Sequence, residues 1–294
     1  MLEQTKLFAE SWNVAWRKKD PGTILTDDIT PFNVVKNSFR YWAADPFIFE
    51  YNEEIFIFSE LYDYIQRRGI LGYYKISDKQ NGKWIPIIEE SYHMSYPCII
   101  QSGEDIYIMP ETNAGNVLCL YRAVEFPDKW EKFKILRNQV KYADTTPLIW
   151  NGKNMALSYQ VDDPYHPKLF MVNFDQRGGD YPLNLSNVER RRSAGNVFRV
   201  GNKWIRSAQN CVEDYGKGLI FYEYEIDSDG NYDEKELIEL FPEQLRFSKP
   251  LYLDGMHTYN CSEHYEVIDI KTRRFNLLNL FFRFIGKIIA LFKR

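Results

Sequence analysis

Carboxylates and histidines recur along this 294-residue chain at the ends of similar apolar segments, and those are the residues with chemistry to offer. Asp45 opens ADPFIFEY and Glu60 closes EIFIFSE, while Glu111 closes IYIMPE fifty-one residues after Glu60. His93 and Tyr96 stand in SYHMSYP, Asp144 in YADTTP, Arg192 in RRRSAGN, Gln209 and Asn210 in SAQN, and His257 in GMHTYN. Two or more carboxyl groups around one pocket are what glycosyl chemistry requires. One must be ionised to activate an attacking hydroxyl or water, and in a hydrolase a second must be protonated to help the leaving oxygen depart. Asp45, Glu111 and His257 are the candidate catalytic groups. Glu60, His93, Tyr96, Asp144, Arg192, Gln209 and Asn210 are candidate substrate contacts. Each also has a plainer reading: a turn cap before Pro46 for Asp45, solvated strand ends for the glutamates, hydrogen-bonded structural histidines, and a charge run for Arg190–Arg192.

Those residues meet only if the elements carrying them are related by symmetry, and the sequence supplies such a relation. Segments beginning at Ala44, Ser95, Thr145, Ala194 and Met256 each read as an apolar strand, a polar turn and a second strand. Aligning Asp45 with Tyr96, Thr146, Gly195 and His257 gives offsets of 51, 50, 49 and 62 residues. Glu60 and Glu111 then occupy equivalent places. Further strands lie between the hairpins (GYYKI, VLCLYR, KLFMVN, LIFYEYEI), making about four per unit, with the last unit short. Four-stranded units at this period are the signature of a β-propeller, whose innermost strands bring equivalent positions together at a central channel. The expectation is an all-β, five-bladed propeller over residues 1–270. Its ring is closed by the N-terminal segment with alternating Trp12, Val14 and Trp16, because an open ring would expose strand edges.

Beyond Lys271 the pattern changes. Seven Lys or Arg and no acid occupy 271–294, which leaves residues 1–270 with a net charge of −11 and argues against nucleic-acid binding. From Arg273 the polar or small positions Asn276, Asn279, Arg283, Gly286, Lys287, Ala290 and Arg294 fall on one helical stripe against a broad Phe/Leu/Ile face. Arg283 and Lys287 would sit in mid-bilayer in a spanning helix, so 271–294 is read as a basic amphipathic helix lying on an anionic membrane surface. Packing against the propeller or a partner is the alternative.

The other signals are exclusions. The four cysteines are far apart, suggesting free thiols. No dinucleotide fingerprint, P-loop or metal-ligand spacing appears, so no metal or cofactor is indicated. Asp162-Asp163 in QVDDPYHP reads as a turn. The charged start has no apolar core of a signal peptide, which suggests a cytoplasmic protein, peripheral on the inner face of the membrane.

The segments ADPFIFEYNEEIFIFSE, RRGILGYYKIS, SYHMSYPCII, IYIMPETN, YADTTPLIW, SAGNVFR, SAQNCVEDYGKGL and GMHTYN, in this order, resemble the N-terminal propeller domain of glucosamine inositolphosphorylceramide transferases and its bacterial stand-alone relatives. The wider fold is similar to five-bladed enzymes of the arabinanase and β-xylosidase type, where a first-blade aspartate is the general base and Asp45 takes that place. The resemblance implies sugar chemistry on bacterial envelope or surface glycans. The expected activity is transfer from a nucleotide sugar to a lipid-linked or polysaccharide acceptor. Asp45 or Glu111 would act as base, and His257 and Arg192 would lie near a donor phosphate. In the plant proteins the assigned transferase activity is associated with a separate C-terminal domain that this chain lacks. A glycoside hydrolase and a non-catalytic glycan-binding scaffold are therefore the alternatives.

Overall fold

A computed structural model describes residues 8–19, 30–76, 82–163, 166–174, 179–212, 214–249 and 253–275, together with Phe281, Phe284, Ile285 and Ile288. Alternation of apolar and polar residues produces twenty strands in five four-stranded antiparallel sheets. β1 (Phe8–Lys18) and β2 (Asn33–Val34) come first in the chain but belong to the last sheet. Blade one is β3 (Tyr41–Tyr51), β4 (Glu54–Asp63), β5 (Arg68–Ile76) and β6 (Ile85–Ile88). Blade two is β7 (Ser95–Ser102), β8 (Asp105–Glu111), β9 (Val117–Glu125) and β10 (Lys129–Asn138). Blade three is β11 (Tyr142–Trp150), β12 (Lys153–Gln160), β13 (Lys168–Asn173) and β14 (Tyr181–Pro182). Blade four is β15 (Phe198–Val200), β16 (Lys203–Asn210), β17 (Gly218–Ile226) and β18 (Tyr232–Leu240). Blade five joins β19 (Tyr259–Cys261) and β20 (Tyr265–Phe275) to β1 and β2, in the order β19-β20-β1-β2.

The five hairpins anticipated from the repeat are the inner two strands of each blade. Two of them turn on residues with positive φ at both central positions, Asn52-Glu53 (49° and 64°) and Asn151-Gly152 (44° and 68°). That is the tight turn whose twist matches paired strands. Buried apolar clusters fill the spaces between blades, the largest joining blades one and two through Phe47, Phe58, Tyr96 and Ile108. Cys98 and Cys119 are buried, Cys211 and Cys261 half-buried, and all four thiols are free.

Ring closure uses eleven residues of β1, paired from Phe8↔Phe275 to Lys18↔Tyr265. A fully buried ion pair, Arg17 Nε to Glu266 Oε1 at 2.5 Å, stitches the two strands, and the Tyr259 hydroxyl donates to Glu266 at 3.0 Å. β20 runs past Ile270, where hydropathy had placed the end of the propeller, as far as Phe275. Its Lys271 is buried, and the Nζ reaches Asp214 at 3.0 Å and the Tyr215 carbonyl at 3.1 Å. Apart from the four residues named above, the amphipathic helix expected beyond this point lies outside the described residues. No helix among the described residues is long and apolar enough to cross a membrane.

Candidate functional site

Three of the inner strands break at the same place. In β3 the register with β4 slips between Ala44 and Phe47, in β7 between Ser95 and Cys98, and in β11 between Ala143 and Thr146. The first bulged residue of each is left-handed without being glycine: Asp45 at φ 50°, Tyr96 at 46° and Asp144 at 48°. Such backbones cost about 1–3 kcal/mol each and persist where the surroundings enforce them, often at functional sites. The register also corrects the repeat alignment. The blade-three equivalent of Asp45 is Asp144 and not Thr146, because Pro147 lies beyond the bulge whereas Pro46 lies within it. Directly before each bulge, Ala44 pairs with Glu60, Ser95 with Glu111 and Ala143 with Tyr159. The two glutamates are therefore equivalent in space, and Tyr159 is their counterpart in blade three.

The bulged amides become donors to carboxylates of neighbouring blades. Tyr96 N–H donates to Asp45 Oδ2 at 3.0 Å and Asp144 N–H to Glu111 Oε2 at 3.2 Å. Asp45 N–H donates to Asp269 Oδ2 at 3.0 Å, and Asp269 Oδ1 takes the amides of His257 and Thr258, both at 2.9 Å. The imidazole of His257 stands between two carboxylates, with Nε2 3.1 Å from Asp45 Oδ1 and Nδ1 2.8 Å from Asp269 Oδ2. The ring N–H at Nδ1 is not aimed at that oxygen, so the contact is an ion pair rather than an aligned hydrogen bond. The Trp12 indole packs on the imidazole with centroids 4.1 Å apart, and the Tyr215 ring meets it edge-on at 5.2 Å.

Burial sets the protonation states. It alone would raise the Asp45 carboxyl, but the charge of His257, its side-chain contact and the Thr258 hydroxyl (3.0 Å) outweigh burial and hold Asp45 below its ordinary value. Burial would likewise lower His257, yet Asp269 and Asp45 drive it well above the usual histidine range, so it is an imidazolium. Glu60 goes the other way. Burial first, then the negative charge of Asp45, lifts its carboxyl well above the ordinary range, and Glu60 Oε1 is buried without a hydrogen-bond partner. Glu111 is raised by burial and by the charge of Asp144, against Arg192. The cluster therefore sets an ionised Asp45 beside two glutamates that favour the protonated form, a division of labour suited to acid–base chemistry.

The remaining candidates fall into place around these groups. His93 Nδ1 accepts the Gly69 amide at 2.8 Å, which puts the ring proton on Nε2, 3.6 Å from Glu60 Oε1; burial lowers the histidine, keeping it neutral. Arg192 bridges blades, with Nε 2.5 Å from Asp144 Oδ2 and Nη2 3.3 Å from Glu111 Oε2. Gln209 joins it, donating to Asp144 Oδ2 at 2.7 Å and the Ser193 carbonyl at 3.0 Å. Asn210, next along β16, is turned away and bonds to Glu239. Tyr96 contributes its amide; its ring is buried on Phe47 and its hydroxyl meets Thr146 at 2.7 Å. The guanidinium expected near a phosphate is thus held by two carboxyls, and its neighbours Arg190 and Arg191 pair with Glu236, Glu239 and Glu234.

Sequence reasoning did not single out Asp269, Thr258, Tyr159, Tyr215 or Gly69, and only Trp12 had been noticed, as part of a strand. Gly69 packs so closely under the site that a Cβ there would lie 2.3 Å from the Met94 carbonyl and 2.5 Å from Glu60 Oε1. Among the described residues, Asp45, His257 and Asp269 are the group with three donors within 4.8 Å of one another. Asp269 of that group also receives the three main-chain amides described above. A cavity of about 730 Å³ lined by Lys18, Glu50, Asn52, Glu54 and His264 opens at the hairpin-turn end of blades one and five, and takes in none of these residues.

Residues 11–250 match the family described as glucosamine inositolphosphorylceramide transferase 1, N-terminal. The chain belongs to this family. Curated glucosamine inositolphosphorylceramide transferases 1 from Arabidopsis thaliana (26% identical over 243 residues, 78% of this chain) and Oryza sativa subsp. japonica (34% over 210 residues, 66%) are similar to it. It spans 31% and 27% of their lengths. Among solved structures, the catalytic domain of a Coprinopsis cinerea GH62 α-L-arabinofuranosidase shares the fold, with TM-score 0.58 and 12% identity over 89% of this chain and 97% of that one. A GH43_1 enzyme from Xanthomonas citri complexed with xylotriose does so at TM-score 0.52 and 8% identity over 81% and 88%. The glucosamine inositolphosphorylceramide transferase N-terminal domain, as seen in this chain, is thus a five-bladed propeller with a buried acid–base cluster at its mouth.

Proposed function

We propose that the channel mouth is an active site for glycosyl transfer, with Asp45 as base and Glu60 as proton donor. The observation that carries this is the Glu60 carboxyl: buried, without a hydrogen-bond partner for Oε1, and pushed toward the protonated form by burial and by the charge of Asp45. An unpaired buried polar atom is costly unless a ligand completes it. In the proposed step, an acceptor hydroxyl gives its proton to Asp45 as its oxygen bonds to the anomeric carbon. The bond from that carbon to the leaving oxygen breaks, and Glu60 protonates the departing group. His257, fixed by Asp269, neutralises Asp45 between turnovers. Arg192 and Gln209 orient Asp144 and Glu111 on the other side of the mouth.

The names of the curated relatives support transfer over hydrolysis. The basic, apolar composition of 276–294 supports an acceptor presented at an anionic membrane surface, a lipid-linked or polysaccharide glycan on the cytoplasmic face, with a nucleotide sugar as donor. One observation favours hydrolysis as the second reading: a glycoside leaving group needs the proton that Glu60 holds, whereas a phosphate leaving group does not.

The test is product analysis by mass spectrometry. The full chain is incubated with nucleotide sugars or neutral glycosides, each with and without lipid-linked and oligosaccharide acceptors. Acceptors heavier by one sugar, absent with Asp45→Asn and Glu60→Gln, establish transfer. Free sugar made without an acceptor establishes hydrolysis. Ligand binding without turnover, equal in the wild type and both variants, would overturn the catalytic reading and leave a glycan-binding module.

A further inference from the structure

The face of blade one that bears Glu60 changes character along its length. Phe56 and Phe58 of β4 are packed in the core shared with blade two. Glu60 comes next on the same face, and Tyr62 after it, since alternate residues of a strand share a side. Across the ladder Tyr62 pairs with Trp42 of β3, as Glu60 pairs with Ala44. The two rings are stacked, with centroids 4.8 Å apart and planes within 6°. Both are half-buried, and among the described residues neither ring takes part in any of the buried apolar clusters. Their immediate neighbours Ala43 and Leu61, on the other face, are fully buried in one. The pair is therefore not there to fill the interior.

Tyr62 is braced from the side by Tyr64, edge-on at 6.3 Å, and the Arg67 guanidinium lies beside its hydroxyl. Two residues of strand place the Tyr62 backbone about 7 Å beyond that of Glu60, within reach of the ring next to the reacting one. A flat aromatic surface matches the C–H-rich face of a pyranose, and the guanidinium supplies donors at its edge. We propose that Trp42 and Tyr62 form a stacking platform for a second ring of the substrate. The site then takes an extended glycan of two or more sugars, with the reacting linkage at Glu60 and the adjoining ring on the platform. This rests on the reading of the mouth as a site acting on glycosidic bonds.

The test is a length series. Gluco-, xylo-, arabino- and glucosamine-containing oligosaccharides of one to six rings are titrated into the full chain, and into Trp42→Ala, Trp42→Phe and Tyr62→Ala with melting temperatures measured in parallel. The platform predicts that affinity rises from one ring to two in at least one series. Trp42→Ala should cut the affinity for the longer sugars by roughly 2- to 12-fold while leaving the single ring unchanged, and Trp42→Phe should restore most of it. A merely structural pair would lower the melting temperature without altering the ratio of long to short. An unaltered ratio in folded Trp42→Ala, or no length dependence in the wild type, would overturn the platform while sparing the acid–base reading. Absence of binding in every series would remove that reading and the platform with it.

Discussion

Asp269 has no exposed surface and accepts three main-chain amides, from Asp45, His257 and Thr258, besides facing the His257 ring. Replacing it by alanine strands three buried donors at about 1–3 kcal/mol each and removes one of the two carboxylates that hold the imidazolium. Some of that cost is recovered if water enters. The expected loss is therefore about 3–5 kcal/mol, in line with the breaking of a buried ion pair, and is a large share of the roughly 5–15 kcal/mol that a folded domain possesses. Asp269→Asn keeps one acceptor oxygen and should lose about 1–3 kcal/mol. Guanidinium unfolding followed by tryptophan fluorescence reads the difference as a lower midpoint at unchanged slope. The pH dependence supplies a second reading. Because the folded value of His257 lies above the unfolded one, its stabilising contribution is complete below about pH 6.5 and is lost as pH rises through the folded value. In Asp269→Ala that loss should begin at lower pH, since Asp45 alone remains to hold the proton. A cost under about 1 kcal/mol, with the alkaline limb unmoved, would show that Asp269 is not the anchor of the mouth.

Other perturbations follow the same physics. Glu60→Gln should abolish turnover, yet stabilise the protein relative to wild type as pH rises above the ordinary glutamate range. In the wild type a carboxyl kept neutral by the fold is then increasingly ionised in the unfolded chain, so melting curves at pH 5 and pH 8 should diverge in that direction. Gly69→Ala forces a methyl against the Met94 carbonyl and Glu60, and should cost about 1–3 kcal/mol while reducing kcat more than it raises KM, read by melting and steady-state rates. Arg192→Ala leaves Asp144 buried without its counter-ion and Glu111 without a donor, and should destabilise by about 3–5 kcal/mol, while Arg192→Lys, without the planar fork, should recover only part.

The repeat was legible because it is local: each hairpin announces itself by alternation and a polar turn, and Glu60 and Glu111 fall at matching distances from their bulges. Asp45 stood out for the same reason. What lay beyond reach was everything created by ring closure or by one residue of register. Asp269 sits in VIDIK, where it reads as the polar member of an ordinary strand, and no spacing ties it to Asp45 in the first blade. Thr146 precedes a proline as Asp45 does, but the bulge sits differently against the two prolines, so the register makes Asp144 the equivalent residue. Tyr215 and Gly69 act through position alone, one over His257 and one beneath Glu60. Arg192 reads from the sequence as a phosphate contact or a plain charge run, and its carboxylate partners come from blades two and three, so only folding reveals that they claim it.

The seam of the ring also has a temporal meaning. Asp45 lies in the first blade, while His257 and Asp269 lie in the last, whose third strand is the N-terminal Phe8–Lys18. A chain emerging from the ribosome can pair blades two, three and four as they appear, but the early strand must wait for β20. Until then Asp45 has neither its counter-ion nor the carboxylate that receives its amide. Assembly of the Asp45 cluster is thus a report that synthesis has passed β20 and that β1 has met it. A circularly permuted chain, cut between blades two and three with its native ends linked, would move that moment and should acquire the His257–Asp45 contact without waiting for its own terminus.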